Sequence, residues 1–409
     1  MPSPEKLVAF VEAVRSSGLV PGSEVELLAA AAEAPDADAE ALVRSLVKRG
    51  LLTAYQARRL WKGKGADLFL NQYVLLDKLG EGGMGQVFRA RHTRMDREVA
   101  LKVMRKEKLD NAEAVRRFHR EIRAAAALAH ENVVMAFDAD QAGDVHFFAM
   151  EFVDGTTLDR YVREKGPLPV AEACDYVRQA ALGLQHAHEK GLIHRDIKPS
   201  NLLLTKSGAV KISDLGLVLV DTPTGPAASR ITREGLTVGT PDFLAPEQAR
   251  NPRAADIRAD IYALGCAFYY LLVAEVPYPQ GTATEKMVQH AREPMPVPTR
   301  PDLPVGVKTV LSKMTAKKPE KRYAIPAEVA TALAPFVGKQ AAPGTSLPPP
   351  IVEELLTDDE LPAADTKTDS RFRLPPPSSE PRRVRNKGCL PTVLLVGGTT
   401  LIGIAIGWR

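Results

Sequence analysis

The stretch His194-Arg195-Asp196-Ile197-Lys198-Pro199-Ser200-Asn201 gathers a carboxylate, an ammonium and a carboxamide within a few positions. Asp196 can take a proton from a hydroxyl. Lys198 can neutralise a phosphoryl group in transfer, and Asn201 can offer a carbonyl oxygen to Mg²⁺. A loop rich in charge is usually only solvated, so this chemistry depends on partners elsewhere in the chain. The candidate partners are Gly80-Glu81-Gly82-Gly83-Met84-Gly85-Gln86-Val87, Lys102 in Val99-Ala100-Leu101-Lys102-Val103, Glu121, and Asp214 in Val210-Lys211-Ile212-Ser213-Asp214-Leu215-Gly216.

The elements that must position these groups follow from periodicity. Residues 73–79 and 99–103 read as strands. The glycine cluster lies between them, whereas a dinucleotide-binding loop joins a strand to a helix. A strand-turn-strand glycine loop can lie over a triphosphate, because glycine lets the main chain approach closely. Residues 112–128 carry Val115, Phe118, Ile122 and Ala125 on one helical face. Glu121 falls within this helix, 19 positions after Lys102. It is either an exposed helix charge or the partner of an ion pair that aims Lys102 at phosphates. Residues 147–153 read as a buried strand, followed by helices over 158–164 and 169–190. Asp214 ends a strand and is a second hard oxygen ligand near Asn201, of the kind Mg²⁺ accepts together with substrate phosphates. Residues 217–244 lack periodicity, and a loop this long inside a compact domain is normally functional or mobile. Helical segments run on to Val337, one of them containing Asp260.

Composition narrows the classes. The 409 residues carry a net charge of +4 with Lys and Arg scattered, so no nucleic-acid partner is expected. Cys174, Cys266 and Cys389 form neither a metal spacing nor a disulfide framework, which fits a reducing compartment. No apolar signal segment opens the chain. Residues 1–66 read as a small helical docking or packing module. Ser3-Pro4 is an N-cap pair, Ser23-x-x-Glu26 and Thr53-x-x-Gln56 are capping-box patterns, and Gly50 is a helix-ending glycine.

Taken together and in this order, these motifs resemble a protein kinase, in particular the bacterial eukaryotic-like serine/threonine kinases. The handful of signatures is a known template for phosphoryl transfer. The resemblance covers about residues 73–337 and includes Gly239-Thr240-Pro241, Ala245-Pro246-Glu247, Asp260 and Arg322. Arg322 resembles the arginine that pairs with the glutamate at Glu247. The resemblance implies an α+β, bilobal fold with a β-rich N-terminal lobe, a helical C-terminal lobe and ATP in the cleft. Leu79, Gly80, Glu81, Gly82, Gly83, Met84, Gly85, Gln86 and Val87 would form the loop over the nucleotide. Val87 and Ala100 would cover the adenine, with Leu203 beneath it. Glu151 and Val153 would bond its edge through their backbones, and Met150 would guard the back pocket. Lys102 would hold the phosphates and pair with Glu121. Asn201 and Asp214 would hold Mg²⁺, with Mn²⁺ as an alternative. Asp196 would accept the substrate proton and Lys198 would sit on the γ-phosphate. Lys198 together with Thr240, in the loop that meets the substrate, follows the serine/threonine pattern. Leu215 stands where phenylalanine is commoner, and Leu fills the same apolar slot. Asn132 stands where many relatives have proline. Arg195 before Asp196 implies activation by loop phosphorylation, with Thr232 and Thr237 as acceptors ahead of Thr222, Thr224 and Ser229.

Residues 338–388 are a proline-rich, charged linker with too few large apolar residues for a core. Leu390–Trp408 then runs 19 residues without a charge. At about 1.5 Å per residue, that matches a hydrocarbon core of about 30 Å, so a transmembrane helix is expected over 389–408. Arg382, Arg383, Arg385 and Lys387 place the preceding domain on the cytoplasmic side of a cell membrane. Only Arg409 follows, so no extracellular sensor is expected. Thr399, Gly403 and Gly407 form a small-residue stripe compatible with a homodimer, though such residues are common in membrane helices. Cys389 is a weak acylation candidate. The resulting expectation is a membrane-anchored kinase acting on Ser and Thr of proteins. A pseudokinase scaffold would usually lack one of Lys102, Glu121, Asp196, Asn201 or Asp214. A small-molecule phosphotransferase would not need the peptide platform at 239–247.

Overall fold

Four short helices open the chain: α1 (Pro4–Ser17), α2 (Gly22–Ala32), α3 (Ala39–Lys48) and α4 (Ala54–Trp61). The computed structural model describes residues 4–34, 38–109, 111–215, 241–251 and 255–338. Residues 1–366 group as one compact unit and 367–409 as another, which lies outside the described residues. The capping box at Thr53 forms as expected, with Gln56 N–H donating to Thr53 Oγ1 (3.1 Å) and Thr53 N–H to Gln56 Oε1 (3.0 Å). The pattern at Ser23 does not cap a helix. Pro21 is the N-cap of α2, with φ −55° and no side-chain bond, so the helix starts at Gly22 and leaves Ser23 inside its first turn. Gly50 ends α3 in a left-handed conformation, φ +70°. The Ser3 cap lies outside the described residues.

Six antiparallel strands follow: β1 (Phe69–Leu70), β2 (Tyr73–Gly82), β3 (Gly85–His92), β4 (Arg97–Met104), β5 (Ala136–Ala142) and β6 (Val145–Glu151), in the spatial order β1-β2-β3-β4-β6-β5. Helix α5 (Ala112–Ala126) lies between β4 and β5 in sequence. Strand β4 explains how this lobe is built. Side chains alternate across a strand, and here both faces are covered. Val99, Leu101 and Val103 join Leu75 and Phe88 in one core with Leu28, Leu46 and Leu60 of the opening helices. Ala100 and Met104 join Phe118 and Ile122 of α5 in another. Burial on both sides is why β4 reads as an almost continuous apolar run.

The second lobe carries a small sheet, β7 (Gly155–Thr157), β8 (Leu202–Thr205) and β9 (Val210–Ile212), with β8 in the middle. Its helices are α6 (Leu158–Lys165), α7 (Val170–Glu189), α8 (Pro246–Arg250), α9 (Ile257–Val273), α10 (Ala283–Arg292), α11 (Val305–Met314) and α12 (Pro326–Leu333). The apolar faces of α7, α9, α11 and α12 share one large core with β8 and β9. Leu215 is buried in that same core, as its apolar character requires. Among the described residues no helix is long and apolar enough to cross a membrane. The segment 389–408 lies outside them.

Arg322 locks this lobe together. Its guanidinium makes a two-pronged bond to Glu247 (2.6 and 2.8 Å) and also donates to the carbonyls of Ala316, Lys317 and Arg258. The arginine side chain is fully buried, so these carbonyls have no water to turn to if it is removed. Arg322→Ala should lower the unfolding free energy by about 3–5 kcal/mol, read as a fall in the urea midpoint. An unchanged midpoint would show that the pair is ornamental.

Candidate active site

The catalytic stretch sits on the turn between α7 and β8, and its shape is set from outside it. His194 N–H and Arg195 N–H donate to the two oxygens of Asp260 on α9 (2.8 and 2.7 Å). Arg195 adopts φ +67°, a left-handed conformation that residues other than glycine rarely visit. Its carbonyl accepts from Gln248 Nε2 (2.9 Å). His194 Nδ1 accepts from Asp196 N–H (3.2 Å), which leaves its Nε2–H to donate to the Ser213 carbonyl (2.8 Å). Burial pushes the Asp260 carboxyl up from the usual carboxylate range, although the neighbouring His194 and the two donated N–H groups pull the other way.

This scaffold brings the three sequence-identified groups together. Asp196 Oδ2 accepts from Lys198 Nζ (2.8 Å) and Asn201 Nδ2 (3.2 Å). Asn201 Nδ2 also donates to the Asp196 carbonyl (2.8 Å). With its nitrogen committed, the Oδ1 of Asn201 is the atom left to meet a cation. The strand that ends in Asp214 is tied on by Ser213 N–H, which donates to the Asn201 carbonyl (2.9 Å).

On the opposite side of the cleft, one expected contact is absent. Lys102 does not pair with Glu121. Lys102 Nζ instead donates to Asp214 Oδ1 at 2.6 Å. The physical reason is a competition for one buried ammonium. Asp214, with φ +60°, aims its carboxylate at Lys102, while both Glu121 oxygens are buried without a hydrogen-bond partner. Burial therefore pushes the Glu121 carboxyl up to about 7, with Arg120, Arg117 and Arg195 only partly opposing it. Burial works against the Asp214 charge as well, but Lys102, His194 and Lys198 outweigh it and hold that carboxyl below its ordinary value.

The glycine loop is a strand-turn-strand hairpin as expected, but its second arm is β3, which sequence periodicity did not identify; the strand expected at 99–103 is β4, one strand further on. Gly80 pairs with Val87, and Gly82 with Gly85. Gly85 has no alternative, because a Cβ there would lie 1.9 Å from the Val103 carbonyl oxygen. Gly80, Gly82 and Gly83 face open space. Glu81 braces the hairpin through Lys78 (3.1 Å), Gln86 (3.3 Å) and Arg105 (2.6 Å). Val87, Ala100, Met84 and Met150 line one apolar cluster behind it. Leu79 is exposed. Val153 follows β6, and Leu203 lies on β8 opposite Lys211. Glu151 pairs with Lys211 (2.9 Å), and its N–H is committed to the Met135 carbonyl (2.8 Å). Gly216, Thr232, Thr237 and Thr240 lie outside the described residues.

The donor set suits a hard divalent cation. A charge-stabilised carboxylate at Asp214 and a carboxamide oxygen at Asn201 supply two oxygen ligands. Among the described residues no group of three or more His, Cys, Asp and Glu could hold a metal alone. That combination fits Mg²⁺, which takes few protein ligands and completes its shell with water and phosphate oxygens. Sequence spacing missed the supports of the site: Asp260 as acceptor, Gln248, Ser213 and Asn132, whose Nδ2 donates to the Val210 carbonyl (2.8 Å). Their partners are backbone groups far along the chain, and no local pattern signals them.

A sheet lobe with a glycine hairpin, a helical lobe, and Asp196, Asn201 and Asp214 gathered between them define the protein kinase fold. Residues 73–333 match the family model for the protein kinase domain, and the chain belongs to that family. It is 35% identical over 254 residues to the serine/threonine-protein kinase PrkC of Bacillus subtilis, covering 62% of this chain and 38% of that protein. It is 35% identical over 296 residues to the serine/threonine-protein kinase PknB of Mycobacterium tuberculosis, covering 71% of this chain and 45% of the relative. The chain thus matches less than half the length of either relative. The crystal structure of the PknI kinase domain of M. tuberculosis is similar with a TM-score of 0.52 at 28% identity, covering 65% of this chain and 96% of that one.

The Glu121 carboxyl gives a pH test. Folded, it holds its proton up to about 7, against an ordinary value of 4.5. The folded chain therefore binds more protons than the unfolded chain across that window, and this group lowers stability as pH rises through it. Glu121→Gln cannot ionise. Its urea midpoint should gain on the wild type between about pH 4.5 and 8, with the gap smallest at the acid end. A gap that stays constant with pH would contradict an uncompensated Glu121.

Proposed function

We propose that this chain is an active serine/threonine protein kinase that transfers the γ-phosphoryl group of ATP to protein hydroxyls. The observation that carries the reading is the joint placement of Asp196, Lys198 and Asn201 against Asp214 and Lys102. In this reading a substrate hydroxyl gives its proton to Asp196 as its oxygen bonds to the γ-phosphorus and the bond to the ADP oxygen breaks. Asp196 Oδ2 is already engaged by Lys198 and Asn201, so Oδ1 is the oxygen for that proton. Lys198 Nζ then stabilises charge on the moving group. Asp214 and Asn201 would hold Mg²⁺ (or Mn²⁺), which supplies charge neutralisation at the phosphates. Lys102 would exchange Asp214 for the phosphates and Glu121, giving the buried glutamate its missing cation. Val87, Ala100, Met150 and Leu203 would enclose the adenine, and the backbones of Glu151 and Val153 would bond its edge. Thr240 and Lys198 favour Ser and Thr as acceptors. Thr232 and Thr237 are the proposed autophosphorylation sites.

We also propose that residues 389–408 anchor the kinase to a cell membrane, with residues 338–388 as a tether and the catalytic domain on the cytoplasmic side. Support comes from the uncharged run at 390–408 and the basic cluster before it. The small residues at Gly403 and Gly407 would let two such helices pair into a homodimer.

Asp196→Asn should leave ATP binding almost unchanged and lower turnover by about 10²–10⁴-fold on a generic protein substrate with labelled ATP and Mg²⁺. Lys102→Met serves as the inactive reference, and peptide mapping of the label reads Thr232 and Thr237. Undiminished transfer by Asp196→Asn would sink the mechanism, and no transfer by the wild type would favour a scaffold. Deleting residues 389–409 should move the protein from the membrane to the soluble fraction on ultracentrifugation while activity persists. A truncated chain that still sediments with membranes would refute the anchor.

A further inference from the structure

The capping box at Thr53 and Gln56 has a second use. Strand β1 pairs with β2 only at Tyr73 and Val74. Among the described residues, the outer edge of β2 has no neighbouring strand from Leu75 onward, and the pairing with β3 slips between Leu75 and Asp77. An irregular open edge of this kind leaves carbonyls in need of donors. Helix α4 supplies them. Gln56 Nε2 donates to the Leu75 carbonyl (2.9 Å), and Thr53 Oγ1 donates to the Leu76 carbonyl. Gln56 is 5% exposed, and its amide oxygen is held by Thr53 N–H, so the side chain has a single workable orientation. One position away, the Tyr55 ring packs 5.8 Å from that of Phe88, a fully buried residue of β3. The same helix thus grips both arms of the hairpin that ends in the glycine loop. Phe88 adjoins Val87, and Leu76 lies three residues before Leu79.

We propose that Thr53, Tyr55 and Gln56 are positioning residues for the glycine loop, so that nucleotide affinity depends on the N-terminal helices. By fixing the slip in β2 and the seat of Phe88, they set where residues 79–87 lie relative to the phosphates of a nucleoside triphosphate. The ligand in this inference rests on the kinase reading above. The mechanical claim does not.

The test uses the full chain with two readouts: calorimetric titration with ATP and Mg²⁺, and amide hydrogen exchange over residues 79–87. Gln56→Leu removes the donor while keeping bulk. It should weaken ATP binding by about 3- to 10-fold, the usual consequence of one lost buried hydrogen bond, and speed exchange in the loop. Tyr55→Leu loosens the β3 arm without touching the capping box, and the same two shifts are expected should Gln56→Leu fold poorly. Leu46→Ala is the control for general destabilisation, since Leu46 is buried in the same core on α3. It should lower the melting temperature while leaving affinity and loop exchange near wild type at 25 °C. The inference is overturned if Gln56→Leu and Tyr55→Leu leave both readouts unchanged, or if Leu46→Ala shifts them equally. A wild-type chain that binds no nucleotide would defeat the kinase reading, and the exchange comparison would still decide the positioning role.

Discussion

A buried carboxylate on a helix of the C-terminal lobe holds the catalytic loop in a shape that it would not adopt alone. Arg195 in a left-handed conformation costs about 1–3 kcal/mol. Asp260 offsets that cost with two backbone N–H bonds, each strengthened by its charge. Gln248 then fixes the Arg195 carbonyl, and the Ser213 carbonyl fixes the His194 ring. The orientation of Asp196, Lys198 and Asn201 follows from this frame, because each lies within seven residues of the two amides that Asp260 holds. The large core around α7 and α9 makes the frame rigid. Packing in one lobe therefore sets the orientation of Asp196 at the cleft.

The opposite wall is governed by scarcity of positive charge. One ammonium, Lys102, faces two candidate carboxylates, and Asp214 takes it. Glu121 is then left with a desolvated carboxyl whose cheapest remedy is a proton. The two carboxyls are consequently pushed in opposite directions, Asp214 down and Glu121 up. A triphosphate bringing its own negative charge would alter that competition, since it offers Lys102 new oxygens.

Much of the site was legible because its chemistry is carried on contiguous stretches. The hairpin around Gly82 carries a glycine requirement, the run from Val99 to Lys102 an apolar strand pattern, and the loop from His194 to Asn201 three polar groups in close spacing. The expected strands and helices appear within three residues of their predicted positions, and the pairing of Arg322 with Glu247 is present. What escaped depends on long-range geometry. Asp260 meets His194 across 66 positions through backbone N–H groups, which leave no trace in side-chain spacing. The partner of Lys102 is a matter of which carboxylate lies nearer, and both were visible. Ser23 misled because Pro21 starts its helix two residues sooner. The docking of α4 on β2 was hidden for the same reason as Asp260: the partners of Gln56 and Thr53 are carbonyls.

The two-sided burial of β4 has a consequence for how copies of this kinase could associate. A bare kinase sheet would present Leu75, Phe88, Val99 and Leu101 as an adhesive patch. Here that patch is occupied by the chain's own opening helices. Two copies cannot meet through this face without first displacing residues of α4 from their bonds to β2. The opening helices act as an intramolecular occupant of this face.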